Sequence, residues 1–543
     1  DATGRDRGLV LRLELTLPAG ESWEGWIDQD VHKPLGVTPV SNTAALRGLP
    51  GLPEFANVDE KPQYGWYSIY PLGVVSRGKE WMGLARRPSE MIVSRFTALG
   101  GATPLMTAEV DLALSEYTAP PREAGFSLWF LWGTGEGAGM RAGLERCYAL
   151  WPGDWEGRAK VFGGWMPFRD LAALPNVDEF GFAYQEGAPN AAFDDALGVL
   201  SFVYFHCAGE FANVSGYKRG TEPLPPYETI VDAFNKVAAQ HTGIEGVWDV
   251  CGIRNSEGKI DYRPEKTYGD FFCQACMDPD LPYGKAMAEG LVKRVLEMPF
   301  PKGIDGVYYD GVAAGLDYAP EHLKAANHLL LWDAVKGFPV NYNLFSSVEW
   351  AQSIHEALSG TGKLTMLNDG SLSAFAYVMP YIDVLGGELG INMGRGQSRA
   401  IRAYAYTKPF CTLVKADLRQ YTSAHIETYM RRCAAYGILF GFFDISPSGD
   451  NPGSSYWEHP EWFDRDRRLF RRYMPLAREI ARAGWQPVPE AMVDGGTVYI
   501  ERFGPRESGL TYLTLSTDPG EEGGTTGAAR DVTVRLSQPL QDK

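Results

Sequence analysis

The sequence predicts a multidomain protein of the α/β plus β class, with an N-terminal β-sandwich, a central (β/α)8 TIM barrel and a small C-terminal β domain. Three observations predict this fold. With 543 residues, the chain is longer than one ordinary domain. Its two ends alternate apolar and polar residues with a period of two, and its middle repeats an apolar strand, a loop and an amphipathic helix. We expect the domains to span 1–155, 156–486 and 487–543.

The N-terminal part consists of short alternating segments that are separated by Gly and Pro. The segments that we interpret as strands span 9–15, 66–70, 108–114 and 126–131. Short strands with this period and this punctuation are typical of an antiparallel sandwich. A helical pattern over 140–150 predicts the connection out of this domain.

The middle part contains eight strand-helix units, the number that closes a (β/α)8 barrel. The predicted strands span 180–185, 201–207, 246–251, 305–310, 363–368, 382–387, 410–416 and 437–444. The predicted helices span 227–239, 283–297, 321–335, 347–358, 397–405 and 423–436. Segment 338–344 could be a ninth strand, but we interpret it as a loop because it contains Pro339 and lies between two helices.

The C-terminal part begins with an amphipathic helix predicted over 464–483. Alternating segments at 497–503, 510–515 and 532–536 then predict a small β domain. Residues 518–529 are rich in Gly, Thr and Glu, which is typical of a linker or a hairpin loop.

The composition argues against several classes of function. The formal net charge is −17 and no cluster of Lys and Arg stands out, so nucleic acid is not an expected partner. No run of about 18 apolar residues occurs, so we expect no membrane span. The sequence contains no Walker loop, no GxSxG elbow and no HExxH motif, and we expect neither a cofactor nor a metal. Because the chain starts at Asp1 without an initiator Met or a signal peptide, we expect a trimmed, secreted or periplasmic protein, with a cytoplasmic one as the alternative.

Cysteines and aromatic residues point to reduced thiols and to a carbohydrate partner. The seven cysteines are scattered through apolar patterns, which predicts buried free thiols. Cys273 and Cys276 form a single CxxC, for which a loop disulfide is the alternative. The 15 Trp and 27 Tyr supply flat faces on which sugar rings stack, so an oligo- or polysaccharide is the expected partner.

Asp310 is the most informative residue of the chain. It ends an apolar strand pattern and is followed by Gly311. In a parallel barrel, side chains at the carboxyl ends of the strands face the pocket where ligands bind. The same argument brings residues from the other strand ends to this pocket as candidates for substrate binding. They are Tyr184, Glu186, His206, Trp248, Asp249, Tyr309, Asn368, Asp369, Lys415 and Asp444.

Asp310 and Glu388 are the candidate catalytic pair. Glycosidic cleavage needs one carboxylate that attacks the anomeric carbon or activates water, and a second carboxyl that protonates the leaving oxygen. The two acids follow predicted strands four and six, so both would border the same mouth. A separation near 5 Å would give retention, and one of about 6.5 to 9.5 Å would give inversion.

Each candidate also has a purely structural interpretation. Asp310 could cap the helix that follows it, and Glu388 follows two glycines that could simply turn a loop. His206 could be an ordinary core histidine, and Lys415 and Asp444 could neutralise one another. The aromatic candidates, together with Trp165, could be packing residues, and Asp249 could be an ordinary rim acid beside a buried Trp248.

Three segments carry a resemblance to a known group of enzymes. They are Ile304-Asp305-Gly306-Val307-Tyr308-Tyr309-Asp310, Tyr381-Ile382-Asp383-Val384-Leu385-Gly386-Gly387-Glu388 and Ala483-Gly484-Trp485-Gln486-Pro487-Val488. With the predicted domain order, these motifs resemble the retaining α-glycosidases of glycoside hydrolase clan D, the α-galactosidase and α-glucosidase group, and the endo-α-N-acetylgalactosaminidases. The resemblance covers the domain order of nearly the full chain, but its motifs are short and match the signature of no single family.

The resemblance implies a glycoside hydrolase in which Asp310 is the nucleophile and Glu388 the acid/base. Clan D barrels commonly place an aspartate in the acid/base role, so Asp383 and Asp369 are the substitutes for Glu388. Two other classes of function remain open from the residues themselves. One is a non-catalytic barrel that binds glycans, and the other is a lyase or metal-dependent hydrolase that uses His206 and the acidic pocket.

Overall fold

A computed structural model gives the structure of the protein and describes most of the chain. The described residues are 6–19, 22–27, 30–36, 40–41, 43–46, 65–68, 70–117, 124–135, 139–207, 209–218, 221, 223–265, 268–297, 303–334, 336–368, 375–443, 455–494, 498–506, 509–517, 531–537 and 540.

The N-terminal part forms antiparallel sheets. A four-stranded sheet has the order Arg7–Thr16, Leu105–Leu114, Val93–Leu99 and Val40–Ser41. A five-stranded sheet has the order Trp129–Thr134, Glu80–Ala85, Leu72–Arg77, Glu24–Ile27 and Asp30–Pro34, and a separate hairpin pairs Thr43–Leu46 with Gly65–Ser68. Val75 and Leu84 of the five-stranded sheet share a hydrophobic cluster with Phe96 and Met106 of the four-stranded one. The helix Gly139–Leu150 and the short helix Pro152–Trp155 follow.

The middle part is a parallel barrel of sequential strands, as predicted. Seven strands form one sheet in chain order: β1 (Gly164–Met166), β2 (Phe182–Glu186), β3 (Leu200–His206), β4 (Gly306–Asp310), β5 (Leu364–Asn368), β6 (Val384–Leu389) and β7 (Phe410–Val414). An eighth segment follows β7, where Leu439 pairs in parallel with Cys411 and Phe442 with Val414. A Cβ on Gly441 would lie 3.4 Å from the carbonyl oxygen of Trp165 in β1, so this segment nearly closes the barrel.

Helices alternate with these strands and cover the barrel. They are Ala191–Leu197, Pro282–Glu297, Asn343–Ala357, Phe375–Val378, Arg395–Ala405, Ser423–Ala435 and Pro460–Ala483. Short 3-10 turns at Leu171–Ala173, Val177–Phe180, Met379–Tyr381, Leu418–Gln420 and Tyr456–Glu458 complete the connections. The long final helix buries Phe463, Leu469 and Phe470, because its apolar residues recur at helical spacing, and the ring of Phe470 packs 5.7 Å from that of Phe440 in the eighth segment.

The strand predicted at 246–251 is wrong. This segment is the helix Val247–Cys251, which Gly246 opens with a left-handed φ of 68°. The barrel instead begins with β1, which the sequence did not predict. One missed strand and one false strand cancel in the count, so Asp310 still ends the fourth strand and Glu388 still lies on the sixth.

Two excursions interrupt the barrel after β3 and β4. The β3 excursion contains the strands Gly209–Ala212, Phe271–Gln274 and Tyr262–Pro264 and the helix Tyr227–Thr242. The β4 excursion contains the strands Leu316–Asp317, Phe338–Tyr342 and Leu331–Asp333 and the helix Pro320–Ala325. The loop predicted at 338–344 is therefore wrong, since Phe338–Tyr342 is the central strand of a small sheet. The helix predicted at 321–335 ends at Ala325, and the chain then forms Leu331–Asp333.

The C-terminal part contains two small antiparallel sheets. One has the order Trp485–Gln486, Val498–Phe503 and Tyr512–Thr517, and the other pairs Ala491–Val493 with Val534–Leu536. The linker or hairpin loop predicted at 518–529 lies outside the described residues.

The thiols and the helices agree with two further predictions. All seven cysteines are buried and free, so Cys273 and Cys276 form no disulfide. Within the described part of the chain, none of the helices has the length and apolarity to cross a membrane.

Candidate active site

Four polar residues lie at the carboxyl ends of successive barrel strands. Asp310 ends β4, Asn368 ends β5, Glu388 lies near the end of β6, and Lys415 follows β7. Adjacent strands are in parallel register, with Asp310 opposite Asn368. Because these strands end at one mouth of the barrel, the structure brings these four predicted side chains together there.

Asp310 is held by two donors from neighbouring strands. The hydroxyl of Tyr204 in β3 donates to Oδ2 of Asp310 at 2.6 Å. The amide nitrogen of Asn368 donates to Oδ1 at 3.4 Å. Each carboxylate oxygen therefore has a donor, and the side chain is fixed in one orientation at the mouth of the barrel.

Glu388 is tied to the same amide and to a lysine. Nδ2 of Asn368 donates to Oε1 of Glu388 at 3.1 Å, and Nζ of Lys415 donates to Oε2 at 2.9 Å. The Glu388 side chain is 24% exposed and that of Lys415 is 45% exposed, so the ion pair lies at the open side of the pocket. Lys415 thus pairs with Glu388 in the described structure, whereas the pairing of Lys415 with Asp444 cannot be placed because Asp444 lies outside the described residues.

Glu186 at the end of β2 is a third acid of this pocket. It is only 3% exposed and accepts a 2.9 Å hydrogen bond from the indole nitrogen of Trp165. Burial, and then the negative charge of Asp310, raise the pKa of Glu186 well above its usual value, although the hydrogen bond from Trp165 opposes this. The surroundings of Glu186, with two other carboxyl groups nearby, therefore favour its neutral form.

A glycine makes room for the indole that binds Glu186. A Cβ on Gly386 in β6 would lie 3.1 Å from the Trp165 ring, so this ring extends across the barrel interior from β1 to β6. Trp165 is 1% exposed and packs 5.4 Å from the ring of Tyr308. Gly386, one of the two glycines before Glu388, thus lies in a strand and makes room for a packing residue.

Two aromatic residues of the pocket were missed from the sequence. Tyr204 stacks on Tyr308 at 5.8 Å, and the ring of Phe168 lies 5.1 Å from the ring of Tyr204. Phe168 is 48% exposed, has a left-handed φ of 53°, and follows the missed strand β1. Such a backbone is costly for an aromatic residue and is common at binding sites. Period-two alternation back from His206 would have placed Tyr204 on the inner face of β3.

Several predicted residues lie away from this pocket. Tyr309 faces outwards and packs 5.4 Å from Trp350, because successive residues of a strand point to opposite sides. Tyr184 is fully buried deeper in the barrel, where its hydroxyl donates to the carbonyl of Val161. Trp248 is buried against Phe234 at 5.5 Å, as a consequence of the helix at 247–251.

The other candidates divide between the mouth, the surface and undescribed segments. Asp249 is exposed on the helix that replaced its predicted strand. His206 lies at the mouth and is the in-register partner of Asp310. Asp369 and Asp444 lie outside the described residues.

Asp383, a substitute for Glu388, lies at the opposite end of the barrel. It precedes β6, is fully buried, and pairs with Arg158 at 2.7 Å. Burial alone would raise the pKa of Asp383, but the bonds from Arg158 outweigh it and lower this pKa. Asp383 therefore stabilises the barrel base and cannot serve the mouth.

One group of side chains in the described part of the chain has the spacing of a metal site. Cys276, Asp317 and His322 are all buried, with their ligand atoms within 4.8 Å of one another. Nδ1 of His322 is bonded to Asp317, and Nε2 lies 2.5 Å from the carbonyl oxygen of Val250, which can only accept. Burial lowers the pKa of His322, but Asp317 outweighs it and the net shift is upwards. Both ring nitrogens thus act as donors, and the group fits a structural ion pair rather than a metal centre.

Comparisons with solved structures give loose likenesses. The chain is similar to an α-N-acetylgalactosaminidase, NagBb from Bifidobacterium bifidum in complex with GalNAc, at 11% identity and a TM-score of 0.48, over 93% of this chain and 84% of that one. A GH31 family sulfoquinovosidase from E. rectale gives 11% identity and a TM-score of 0.49, over 87% and 69%. A cycloalternan-degrading enzyme from Trueperella pyogenes gives 11% and 0.44, over 96% and 81%.

At identities near 11% and TM-scores below 0.5, the likenesses assign neither a family nor an activity to this chain. No protein-family model matches the sequence, and no curated protein matches it.

Proposed function

We propose that the protein is a glycoside hydrolase that cleaves α-linked glycosidic bonds with retention of configuration. The observation that carries the proposal is the amide of Asn368, whose single nitrogen donates to both Asp310 and Glu388. Two carboxyl groups that share one donor at the mouth of a parallel barrel form the arrangement that glycosidic cleavage requires. The α linkage rests on the resemblance of the Asp310 and Glu388 motifs to the clan D enzymes.

The shared donor limits how far apart the two carboxylates lie. The nitrogen of Asn368 is 3.4 Å from Oδ1 of Asp310 and 3.1 Å from Oε1 of Glu388, so the two oxygens are separated by at most about 6.5 Å. The two N–H bonds of an amide diverge by about 120°, which corresponds to a separation of about 5.6 Å. Retaining enzymes have carboxyl groups about 5 to 5.5 Å apart, so this value favours retention over inversion.

Asp310 takes the role of nucleophile. In the first step, an oxygen of Asp310 bonds to the anomeric carbon while Glu388 gives its proton to the departing glycosidic oxygen. In the second step, Glu388 takes a proton from water, and the water oxygen displaces Asp310 from the anomeric carbon. The bonds from Tyr204 and Asn368 hold Asp310 in position for both steps.

Lys415 positions the Glu388 side chain at the open side of the pocket through a 2.9 Å ion pair. The lysine side chain is 45% exposed, so it can move aside for a substrate without disturbing the core.

Hydrolysis of a panel of p-nitrophenyl α-glycosides tests the proposal. The Asp310→Asn variant should lose at least about a thousandfold in kcat on a substrate that the wild type cleaves. Azide should restore turnover to Asp310→Gly and give a glycosyl azide, because it replaces the missing nucleophile. A mechanism-based fluorinated glycosyl inactivator should label Asp310, and NMR of the first-formed anomer should show retention.

Asp249→Asn is the matched control, since this aspartate is exposed on a helix that is not part of the barrel sheet. It should retain wild-type activity. Full activity of Asp310→Asn would overturn the assignment, and binding of glycans without any turnover would favour the non-catalytic barrel. Loss of activity in a chelator would instead favour the metal-dependent alternative.

We also propose that the domains divide at 1–155, 156–486 and 487–543, as the sequence patterns indicate. In support, Asp310, Asn368, Glu388 and Lys415 all lie on barrel strands or directly after one.

A further inference from the structure

A row of aromatic rings leads from the pocket onto the β3 excursion. His206 is the in-register partner of Asp310, and its ring lies 5.0 Å from the ring of Phe211. Phe211 in turn lies 5.4 Å from Tyr268. We name His206, Phe211 and Tyr268 the β3 aromatic row. The row leads from the strand partner of the candidate nucleophile to the protein surface.

The β3 aromatic row is supported from below and open at its outer end. Phe272 is 5% exposed and packs 4.9 Å from Phe211, so it fixes the middle ring. Tyr268 is 74% exposed, the largest exposed fraction of any large hydrophobic side chain in the described part of the chain. A Cβ on Gly269 would lie 3.0 Å from that of Phe211, so the glycine lets the chain bring Tyr268 close to the row.

A polar group accompanies the row. The guanidinium of Arg263 lies 4.9 Å from the centroid of the Phe272 ring and is exposed. It brings N–H donors next to the aromatic faces. Flat rings next to hydrogen-bond donors suit a sugar ring, whose faces are apolar and whose edge carries hydroxyls.

The position of the row decides which part of a substrate it would contact. The strand order places β3 on one side of Asp310, and places β5 and Glu388 on the other. In the proposed reaction Glu388 protonates the leaving group, so the leaving group lies towards β6. The row on the β3 side therefore borders the part of the substrate that stays on the enzyme after cleavage.

We propose that the β3 aromatic row is a second sugar-binding subsite, which holds a sugar unit attached on the non-reducing side of the sugar that reacts. This inference rests on the proposed glycosidase function. It predicts a substrate with at least two sugar units before the cleaved bond, and it gives Tyr268 the role of a specificity residue outside the reacting centre.

The test varies the length of the sugar chain and keeps the leaving group constant. p-Nitrophenyl glycosides of one, two and three α-linked units are compared on wild type and Tyr268→Ala. We expect kcat/KM of the wild type to rise when the second unit is added. Tyr268→Ala should lose about three- to tenfold on the longer glycosides, the effect of one stacking contact, and should equal wild type on the monosaccharide glycoside.

Two further variants complete the test. Tyr268→Phe keeps the ring and should keep most of the rise in kcat/KM that the second sugar unit gives. Trp132→Ala removes an aromatic side chain of the N-terminal sheets that is 69% exposed, and it should leave kcat/KM unchanged at every chain length. Equal activity of Tyr268→Ala and wild type on all chain lengths would overturn the subsite. A loss of kcat/KM that depends on the size of the leaving group would put Tyr268 on the leaving-group side and overturn the proposed position of the subsite. Failure of the proposed function would look different, because wild type would then hydrolyse none of the glycosides at any chain length.

Discussion

Tyr204 donates from its hydroxyl to Oδ2 of Asp310 at 2.6 Å, across two adjacent strands of the barrel. Burial, and then the charge of Asp310, raise the pKa of the Tyr204 hydroxyl above its usual value. The hydroxyl therefore keeps its proton and donates to Asp310 around neutral pH. Its ring is fixed by stacking on Tyr308, so the donor is held in place before a substrate arrives.

We predict that Tyr204→Phe lowers kcat/KM about tenfold to hundredfold on the best substrate. A hydrogen bond to a charged group contributes about 1.5 to 3 kcal/mol, and the substitution removes only the hydroxyl. Steady-state kinetics, with circular dichroism as a check of the fold, measures the effect. Tyr184→Phe is the matched control, because its hydroxyl contacts the Val161 carbonyl deep in the barrel and should affect stability but not kcat. Equal losses of kcat in the two variants would contradict a role specific to Asp310.

Lys415→Met should lower kcat/KM on the best substrate by no more than about fivefold. Lys415 forms a 2.9 Å ion pair with Glu388 at the open side of the pocket, and a pair this exposed contributes about 0.2 to 1 kcal/mol to holding the carboxyl group in position. Lys415→Arg keeps the cation and should keep most of the wild-type activity. Steady-state kinetics of the two variants measures the difference. A loss of a hundredfold or more in Lys415→Met would show that the lysine acts on the substrate and does not merely position Glu388.

Much of the candidate site could be predicted because its polar residues lie at the carboxyl ends of barrel strands. Asp310, Asn368, Glu388 and Lys415 all occupy positions that a parallel barrel directs to its mouth, and an apolar run followed by a polar residue marks such positions. Tyr204 and Phe168 were missed for different reasons. Tyr204 lies inside a strand, where an aromatic residue is usually packing, and Phe168 follows a strand that was not recognised.

The errors in the fold come from short apolar segments. The segment at 246–251 and strand β1 each contain only a few apolar residues, and periodicity over so few positions fits a strand and a helix equally. Tertiary contacts decide between them. Trp248 is buried by Phe234 and Tyr283, and it forms these contacts as part of a helix. Pro339 is tolerated in its strand because it is paired on one side only, with Trp332, while the other neighbouring strand pairs further along with Asn341 and Tyr342.

The Glu186→Gln variant should become more stable relative to wild type as the pH rises. The pKa of Glu186 is higher in the folded protein than in the unfolded chain, where it is about 4.3. The contribution of Glu186 to stability is therefore complete at a pH below about 4.3, and it is lost as the pH rises through the pKa of the folded protein. A glutamine side chain keeps the neutral form at every pH and has no such loss. Urea unfolding at a series of pH values measures the difference in the free energy of unfolding. This difference should grow in favour of the Glu186→Gln variant with rising pH, whereas Glu156→Gln at an exposed position should run parallel to wild type.

Glu501 ties the C-terminal sheet to the barrel and to the N-terminal part. It is 1% exposed and accepts bonds from Arg141 at 2.6 Å, Trp485 at 3.0 Å and Arg399 at 3.3 Å. Burial alone would raise the pKa of Glu501, but the two arginines outweigh it and lower this pKa. The carboxylate is thus the form that the folded protein holds.

Glu501→Gln should therefore destabilise the protein by about 3 to 5 kcal/mol near neutral pH, because it leaves two buried guanidinium groups without their counter-charge. Because the pKa of Glu501 is lower in the folded protein than in the unfolded chain, where it is about 4.3, its carboxylate contributes stability at a pH above about 4.3. This contribution is lost as the pH falls through the pKa of the folded protein. The gap between the two proteins should accordingly narrow as the pH falls below about 4, as denaturant unfolding at a series of pH values would measure. Asp494→Asn breaks an exposed pair with Arg535 and should cost less than about 1 kcal/mol at any pH. A gap for Glu501→Gln that stays constant with pH would mean that its charge contributes nothing and that the loss comes from packing.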